Sequence, residues 1–242
     1  MMAVEIKLEE ELPEKPIIIE AFPSKGYVST IASYYLIKEN NWKQIGCINV
    51  DELDGFVVVH ESKVMHPMRI YRKDNLILLF SEIIIPHPLI PQFRGAVMKW
   101  FKEIKPSKVV LLASMLGKET TKEHEILALT TEEDVKKKLK KHNIETLTEG
   151  VLTGVSSTIA LNCYDNQIPY LALMVETQYV PDALAAASLL HLLDDLFDLG
   201  VDVSKLEETG KQLEKKFTNL LDQLKNTQEK YHGTQNQTPM YR

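Results

Sequence analysis

The residues at the carboxyl end of the chain have the chemistry of a docking peptide. Met240, Tyr241 and Arg242 are a hydrophobic residue, a tyrosine and a final residue that bears the free α-carboxylate. In a narrow pocket the carboxylate can pair with a buried cation, the phenol can stack and hydrogen-bond, and the apolar side chain can fill the rim. Capture of a C-terminal carboxylate is an established recognition mode. The tripeptide therefore predicts binding to a partner protein.

Side chains that could support catalysis or metal binding form only incomplete motifs. The phosphate loop suggested by Gly117-Lys118 lacks its first glycine, and the zinc helix suggested by His124-Glu125 lacks its second histidine. The nucleophile elbow that begins at Gly154-Val155-Ser156 lacks its last glycine. The aspartates of residues 194–198 are expected at a solvated helix end. We therefore predict no catalytic residues, no metal site and no cofactor.

Composition narrows the class of protein. The chain has 242 residues, a formal net charge of -6 and 44% hydrophobic residues, which suffice for one large core. The absence of a long basic run argues against nucleic acid as a partner. No apolar run approaches the roughly 20 residues of a membrane span, and the acidic N-terminus is unlike a signal peptide. These features predict a soluble, cytoplasmic protein in which Cys47 and Cys163 are buried thiols.

The elements that must position these residues alternate between strand and helix. Short apolar runs at residues 16–20, 109–113 and 170–175 predict buried strands. Helical spacing predicts helices over residues 25–38, with Ser24 as cap, 91–104 and 181–199. Extended runs between residues 44 and 83 predict an antiparallel portion, and residues 117–129 an excursion or loop. The order predicts a three-layer α/β/α sandwich with a mostly parallel sheet, as one domain over residues 1–202.

A separate helix is predicted over residues 203–226, starting from a capping box of Ser204 and Glu207. Its apolar positions repeat as a heptad seam. These positions are Leu206, Gly210, Leu213, Phe217, Leu220 and Leu224. The seam fits packing on the helix's own domain or packing against a neighbouring subunit. Residues 227–242 are polar up to the last three, which predicts a flexible tail.

Two longer stretches resemble the archaeal and eukaryotic proteasome assembly chaperone family, in its proteasome assembly chaperone 2-like branch. Residues 22–37 (FPSKGYVSTIASYYLI) place a short glycine loop between a strand and an apolar helix. Residues 149–207 add the turn GVLTG, the strand PYLALMVET and the run YVPDALAAASLLHLLDDLFDLGVDVSKLEE. With the middle strands, the resemblance covers most of residues 15–210.

The resemblance implies a fold similar to nucleoside phosphorylases and hydrolases without their active site. It also implies ATP-independent binding to 20S proteasome α-subunits. In this family and in proteasome activators a C-terminal hydrophobic-Tyr-X (HbYX) tripeptide enters pockets between neighbouring α-subunits, and Met240, Tyr241 and Arg242 match it. A homo-oligomer is expected, with a tetramer as the first choice and a pentamer as the second.

Two alternatives remain open at this point. One is a hydrolase- or phosphorylase-like enzyme that uses the loop at residues 24–26 and the turn at residues 150–154. A convergent polar pocket at these loops would support the enzyme, whereas a crevice filled with apolar side chains would exclude it. The other is an oligomeric scaffold for a different protein. The sequence does not distinguish assembly of α-rings from activation or inhibition of finished particles.

Overall fold

The computed structural model of the chain describes residues 4–53, 55–117 and 124–235. Its strands are β1 (Val4–Leu8), β2 (Ile17–Ala21), β3 (Lys43–Val50), β4 (Val58–His60), β5 (Lys63–Met65), β6 (Met68–Lys73), β7 (Leu76–Ser81), β8 (Lys108–Leu116), β9 (Ile126–Leu129), β10 (Glu145–Thr146) and β11 (Tyr170–Thr177). Its helices are α1 (Val28–Glu39), α2 (Ile90–Ile104), α3 (Glu133–Lys141), α4 (Val155–Asp165), α5 (Ala183–Phe197) and α6 (Ser204–Gln235). Within these ranges no helix is both long and apolar enough to cross a bilayer.

One nine-stranded sheet forms the middle of the fold, in the order β1-β3-β6-β7-β2-β8-β11-β9-β10. Its centre, β7-β2-β8-β11, is parallel. The strands β3 and β6 add an antiparallel portion on one side, as predicted for residues 44–83, and β1, which was not predicted, extends it. On the other side β9 pairs antiparallel with β11, in a stretch that was predicted to be a loop. The hairpin β4-β5 stands apart from this sheet.

Each face of the sheet is covered by its own helical layer. Alternation along β2 sends Ile19 into a cluster with α1, α3, α5 and α6, and sends Ile18 into a second cluster with α2 and α4. Both isoleucines are fully buried. The predicted three-layer α/β/α sandwich with a large parallel-centred sheet is therefore confirmed.

The heptad seam of α6 packs on the domain that carries it. Leu206 is 0% exposed and Phe217 is 1% exposed. The Phe217 ring packs edge-on against the ring of Tyr34 in α1, with 5.7 Å between the ring centres. At Gly210 a Cβ atom would lie 3.1 Å from the Ala183 Cβ, so this position permits a close approach to α5. Leu213 and Leu220 pack more loosely against the same cluster. Of the two arrangements predicted for the seam, the structure shows packing on the helix's own domain.

The ends of two helices differ from prediction. Ser24 does not cap a helix, because a 3-10 turn at Lys25–Tyr27 precedes α1. At the start of α6, the Asp202 carboxylate accepts hydrogen bonds from the backbone N–H and the hydroxyl of Ser204. The prediction had made Ser204 itself the capping residue. At its other end α6 continues to Gln235, past the predicted end at residue 226. Residues 227–235 are thus helical, and residues 236–242 lie outside the described chain.

Phe217→Ala should destabilise the domain by about 3–5 kcal/mol, because it removes a buried ring and leaves a cavity between α6 and α1. Thr218→Ala, on the exposed side of the same turn, should change stability by no more than about 0.5 kcal/mol. Urea unfolding followed by circular dichroism measures both. Equal midpoints for the two variants would show that the seam does not anchor α6.

Candidate functional site

The predicted docking residues Met240, Tyr241 and Arg242 lie outside the described residues. Their support is α6, a helix of 32 residues that is about 48 Å long. The side chain of Leu224, the last predicted seam position, also lies outside the description. For this site the structure therefore describes the helix that precedes the tripeptide.

Polar contacts fasten the first half of α6 in addition to the seam. The Glu214 carboxylate accepts a hydrogen bond of 3.1 Å from the backbone N–H of Ala183, at the start of α5. The Lys216 ammonium lies 4.0 Å from the centre of the Tyr34 ring and donates to the Tyr34 hydroxyl. Because these contacts involve two other helices, the direction of α6 is set by the domain.

A buried ionic cluster holds the β4-β5 hairpin beside α6. Glu82 accepts from Arg69 at 2.5 Å and contacts His60 Nε2 at 2.7 Å, and both Glu82 and Arg69 are almost fully buried. Burial alone would raise the pKa of Glu82, but the hydrogen bond from His60 and the charge of Arg69 lower it. His60 also lies 5.9 Å from Tyr34, ring centre to ring centre. The cluster therefore links β4 to β6 and to the end of β7 through Glu82.

A second candidate site lies at the carboxyl ends of β2, β8 and β11. A cavity of about 330 Å³ opens there. Ser24 and Lys25 line it on one side and residues 151–154 on another, so the two loops named for the enzyme alternative do meet. The crevice is open rather than filled.

Four serine hydroxyls line this cavity. Ser114 donates to Ser24 at 3.0 Å, and both line the cavity with Ser156 and Ser157. The last two belong to the first turn of α4, where no side chain caps the helix. Gly154, immediately before α4, has φ of 98°, a left-handed conformation that favours glycine. The free N–H groups of this turn form a partial positive charge.

Glu20, which lies beside this site next to Ser156, is a residue that sequence reasoning missed. Its side chain is fully buried on the α2 and α4 face, where Oε1 accepts from the Phe22 N–H at 2.8 Å. Within the described chain Oε2 makes no hydrogen bond that meets both the distance and the angle of one. Burial raises the pKa of Glu20 to about 7, and the nearby Ser156 hydroxyl lowers it only in part. A carboxylate at the end of the apolar run PIIIE was the available signal.

The other candidate side chains have structural roles. Asp182 caps α5 by accepting from the Ala185 N–H at 2.9 Å, and His124 lies 3.8 Å from it. In the acidic segment, Asp194 accepts from the Val201 N–H at 3.2 Å. Over the ranges that the structure covers, no group of three or more histidine, cysteine or acidic side chains could hold a metal.

Fold and sequence together define a PAC2-type α/β protein. The profile of the PAC2 family matches residues 18–221, and the chain belongs to this family. The Methanocaldococcus jannaschii protein MJ0106 is 30% identical over 211 residues, which are 87% of each chain. The resemblance to the proteasome assembly chaperone family is thereby confirmed at the level of family.

Two crystal structures show the same fold. Pyrococcus furiosus PbaA, an archaeal homolog of proteasome-assembly chaperone, has a TM-score of 0.84 and 25% identity, over 93% of this chain and 100% of PbaA. Pyrococcus furiosus PbaB, an archaeal proteasome activator, has a TM-score of 0.74 and 21% identity, over 91% of this chain and 99% of PbaB. The architecture of this chain is therefore that of proteasome-related proteins.

Glu20→Gln should stabilise the protein more at pH 8 than at pH 5. The pKa of Glu20 is raised from 4.5 to about 7, so the folded state keeps a proton that the unfolded chain releases. The associated stability is complete below pH 4.5 and is lost as the pH rises to about 7. Glutamine stays neutral, keeps an acceptor for the Phe22 N–H, and should gain up to about 3 kcal/mol over wild type above pH 7.

Urea unfolding of both proteins at the two pH values measures this difference. Glu103→Gln, on the exposed side of α2, is the control and should give the same small change at each pH. If the difference between Glu20→Gln and wild type did not depend on pH, Glu20 would not be a buried group with a raised pKa.

Proposed function

We propose that this chain is an ATP-independent chaperone or activator of the proteasome that binds 20S α-subunits through Met240, Tyr241 and Arg242. The observation that carries the proposal is a PAC2 domain continued by a long anchored helix that leads to a hydrophobic-Tyr-X end. PbaA and PbaB, which share the fold, are described as a proteasome-assembly chaperone homolog and a proteasome activator. The protein would act in the cytoplasm without catalysis of its own.

The anchored helix supports delivery of the tail. Described contacts with the domain extend along α6 to Leu220 and Leu221, and the helix continues roughly 21 Å further to Gln235. A helix is stiffer than a polar coil, so it keeps the tail at a defined distance from the sheet. In the α-subunit pocket the Arg242 carboxylate would pair with a lysine, Tyr241 would order the wall and Met240 would supply apolar area.

Several tails on one oligomer would make weak individual contacts strong. A second tail on the same scaffold binds with a high effective concentration once the first is bound. A tetramer, or else a pentamer, is the proposed form. Leu206 and Phe217 are buried in their own domain, whereas Leu213 and Leu220 are only partly covered by it. Leu213 and Leu220, with Leu224, are therefore the seam positions proposed for subunit contacts.

Removal of residues 240–242 should abolish binding to α-subunits and leave folding unchanged, because the tripeptide lies beyond every described contact of the domain. Addition of one glycine after Arg242 should have the same effect, since it displaces the carboxylate. Thr238→Ala, in the same terminal segment, is the control and should bind normally. Native mass spectrometry with purified archaeal α-subunits and with complete 20S particles measures complex formation.

Peptide hydrolysis by the 20S particle in the same mixtures shows what binding does. Faster hydrolysis with the full chain supports an activator, whereas larger α-ring complexes without faster hydrolysis support an assembly chaperone. If the chain that lacks residues 240–242 formed the same complexes as the full chain, the tail would not be the anchor.

A further inference from the structure

The cavity beyond β2, β8 and β11 has the size and position of a small-molecule site. Its volume of about 330 Å³ falls at the lower end of the range of roughly 300–1,000 Å³ for ligand pockets. In parallel α/β sheets, ligands bind in the crevice outside the carboxyl ends of the strands. Three small residues from different elements, Ala113, Ala160 and Ala172, line the cavity and leave the space open.

Most of the wall is apolar. The deep side is formed by buried side chains that can only make van der Waals contacts, namely Phe22, Ile85, Ile90 and Met174. At the mouth, Ile84, Leu116 and Val151 expose 55%, 60% and 91% of their surfaces. These surroundings favour a ligand with an apolar body and an open path for exchange.

The polar part of the lining combines serine hydroxyls with backbone N–H groups. Ser24, Ser114, Ser156 and Ser157 supply the hydroxyls, of which Ser114 donates to Ser24 and Ser157 donates to the Gly154 carbonyl. The uncapped first turn of α4 supplies the N–H groups. The space next to Gly154 is open, since no atom would lie within 4 Å of a Cβ added there. Lys25 is the only cation among the described lining residues, and none of those residues is acidic. This part of the lining therefore suits an anion.

Glu20 lies behind the cavity wall, next to Ser156, and does not itself line the cavity. This side chain is 0% exposed, lies close to the Ser156 hydroxyl, and has an oxygen, Oε2, without a hydrogen-bond partner in the described chain. Because Oε1 already accepts from Phe22, a proton on the carboxyl group belongs on Oε2. The protonated group can donate toward Ser156, and the Ser156 hydroxyl can then donate into the cavity. Because the pKa of Glu20 is raised to about 7, the carboxyl group carries its full negative charge only above neutral pH.

We propose that this cavity binds a small organic oxyanion, a carboxylate or a phosphate monoester with an apolar body. The charged head lies at the first turn of α4 among Ser24, Ser114 and Ser156, and the body lies against Phe22, Ile90 and Met174. The described lining contains no acid–base pair, and the proposal concerns binding alone.

Titration of the full-length protein with phenylacetate, phenyl phosphate, phenylacetamide and inorganic phosphate tests the proposal. Calorimetry supplies affinities, and saturation-transfer NMR shows which part of each probe is in contact. At least one of the two aromatic anions should bind. The affinity of the neutral amide should be lower by a factor of about ten or more, because the amide cannot form charge-assisted hydrogen bonds. Inorganic phosphate should compete only if the head prefers phosphate, which separates the two anion classes.

Variants locate the bound probe. Ser156→Ala should weaken anion binding about fivefold, and Ala160→Phe should abolish it by filling the cavity. Ser188→Ala, on α5 at the opposite face of the sheet, should bind like wild type. Thermal unfolding checks that each variant is folded, and Ser24→Ala replaces Ala160→Phe if the larger side chain prevents folding.

Three results would overturn the proposal: neither aromatic anion binds, the amide binds as well as the anions, or Ser156→Ala and Ser24→Ala both leave affinity unchanged. The measurements contain no proteasome component, so their failure leaves the proposed tail function untouched.

Discussion

The parallel pairing of β7, β2, β8 and β11 is the constraint on which the rest of the structure depends. Since these four strands run in one direction, their carboxyl ends share an edge, and the loops that leave them are brought together there. Strands of this kind are buried on both faces and require a helical layer on each side. The same pairing therefore creates the two-sided core, opens the crevice at its edge and buries Glu20 at the end of β2.

The crevice and the anchored helix are connected by direct contacts. The Gly26 carbonyl, in the loop beside the cavity, accepts from the Asp182 N–H at 2.9 Å, and a Cβ atom at Gly26 would lie 2.8 Å from Thr177 Oγ1. Asp182 caps α5, and the next residue, Ala183, contacts Gly210 and Glu214 of α6. A chain of contacts therefore runs from the loop beside the cavity through the start of α5 to α6.

The sequence was most informative where one local pattern decides the outcome. The runs at residues 16–20, 109–113 and 170–175 became β2, β8 and β11, because short apolar runs bounded by turn residues are typical of buried strands. It was least informative where the partner is remote. Residues 126–129 became β9 only because β11 offers an edge, and Ser24 bonds to Ser114 instead of capping a helix because β8 ends beside it.

The sequence by itself determined the layered α/β class, the family and the hydrophobic-Tyr-X end, since apolar periodicity, motif order and terminal residues are written in the chain. Only the tertiary structure decided which way the seam of α6 faces, whether the crevice is open and how deeply Glu20 is buried. Each of these depends on surfaces that distant segments supply: Tyr34 and Ala183 for the helix, small residues on three elements for the cavity, and α2 with α4 for the carboxylate. Burial is a property of what covers a residue, and neighbours in the chain do not specify it.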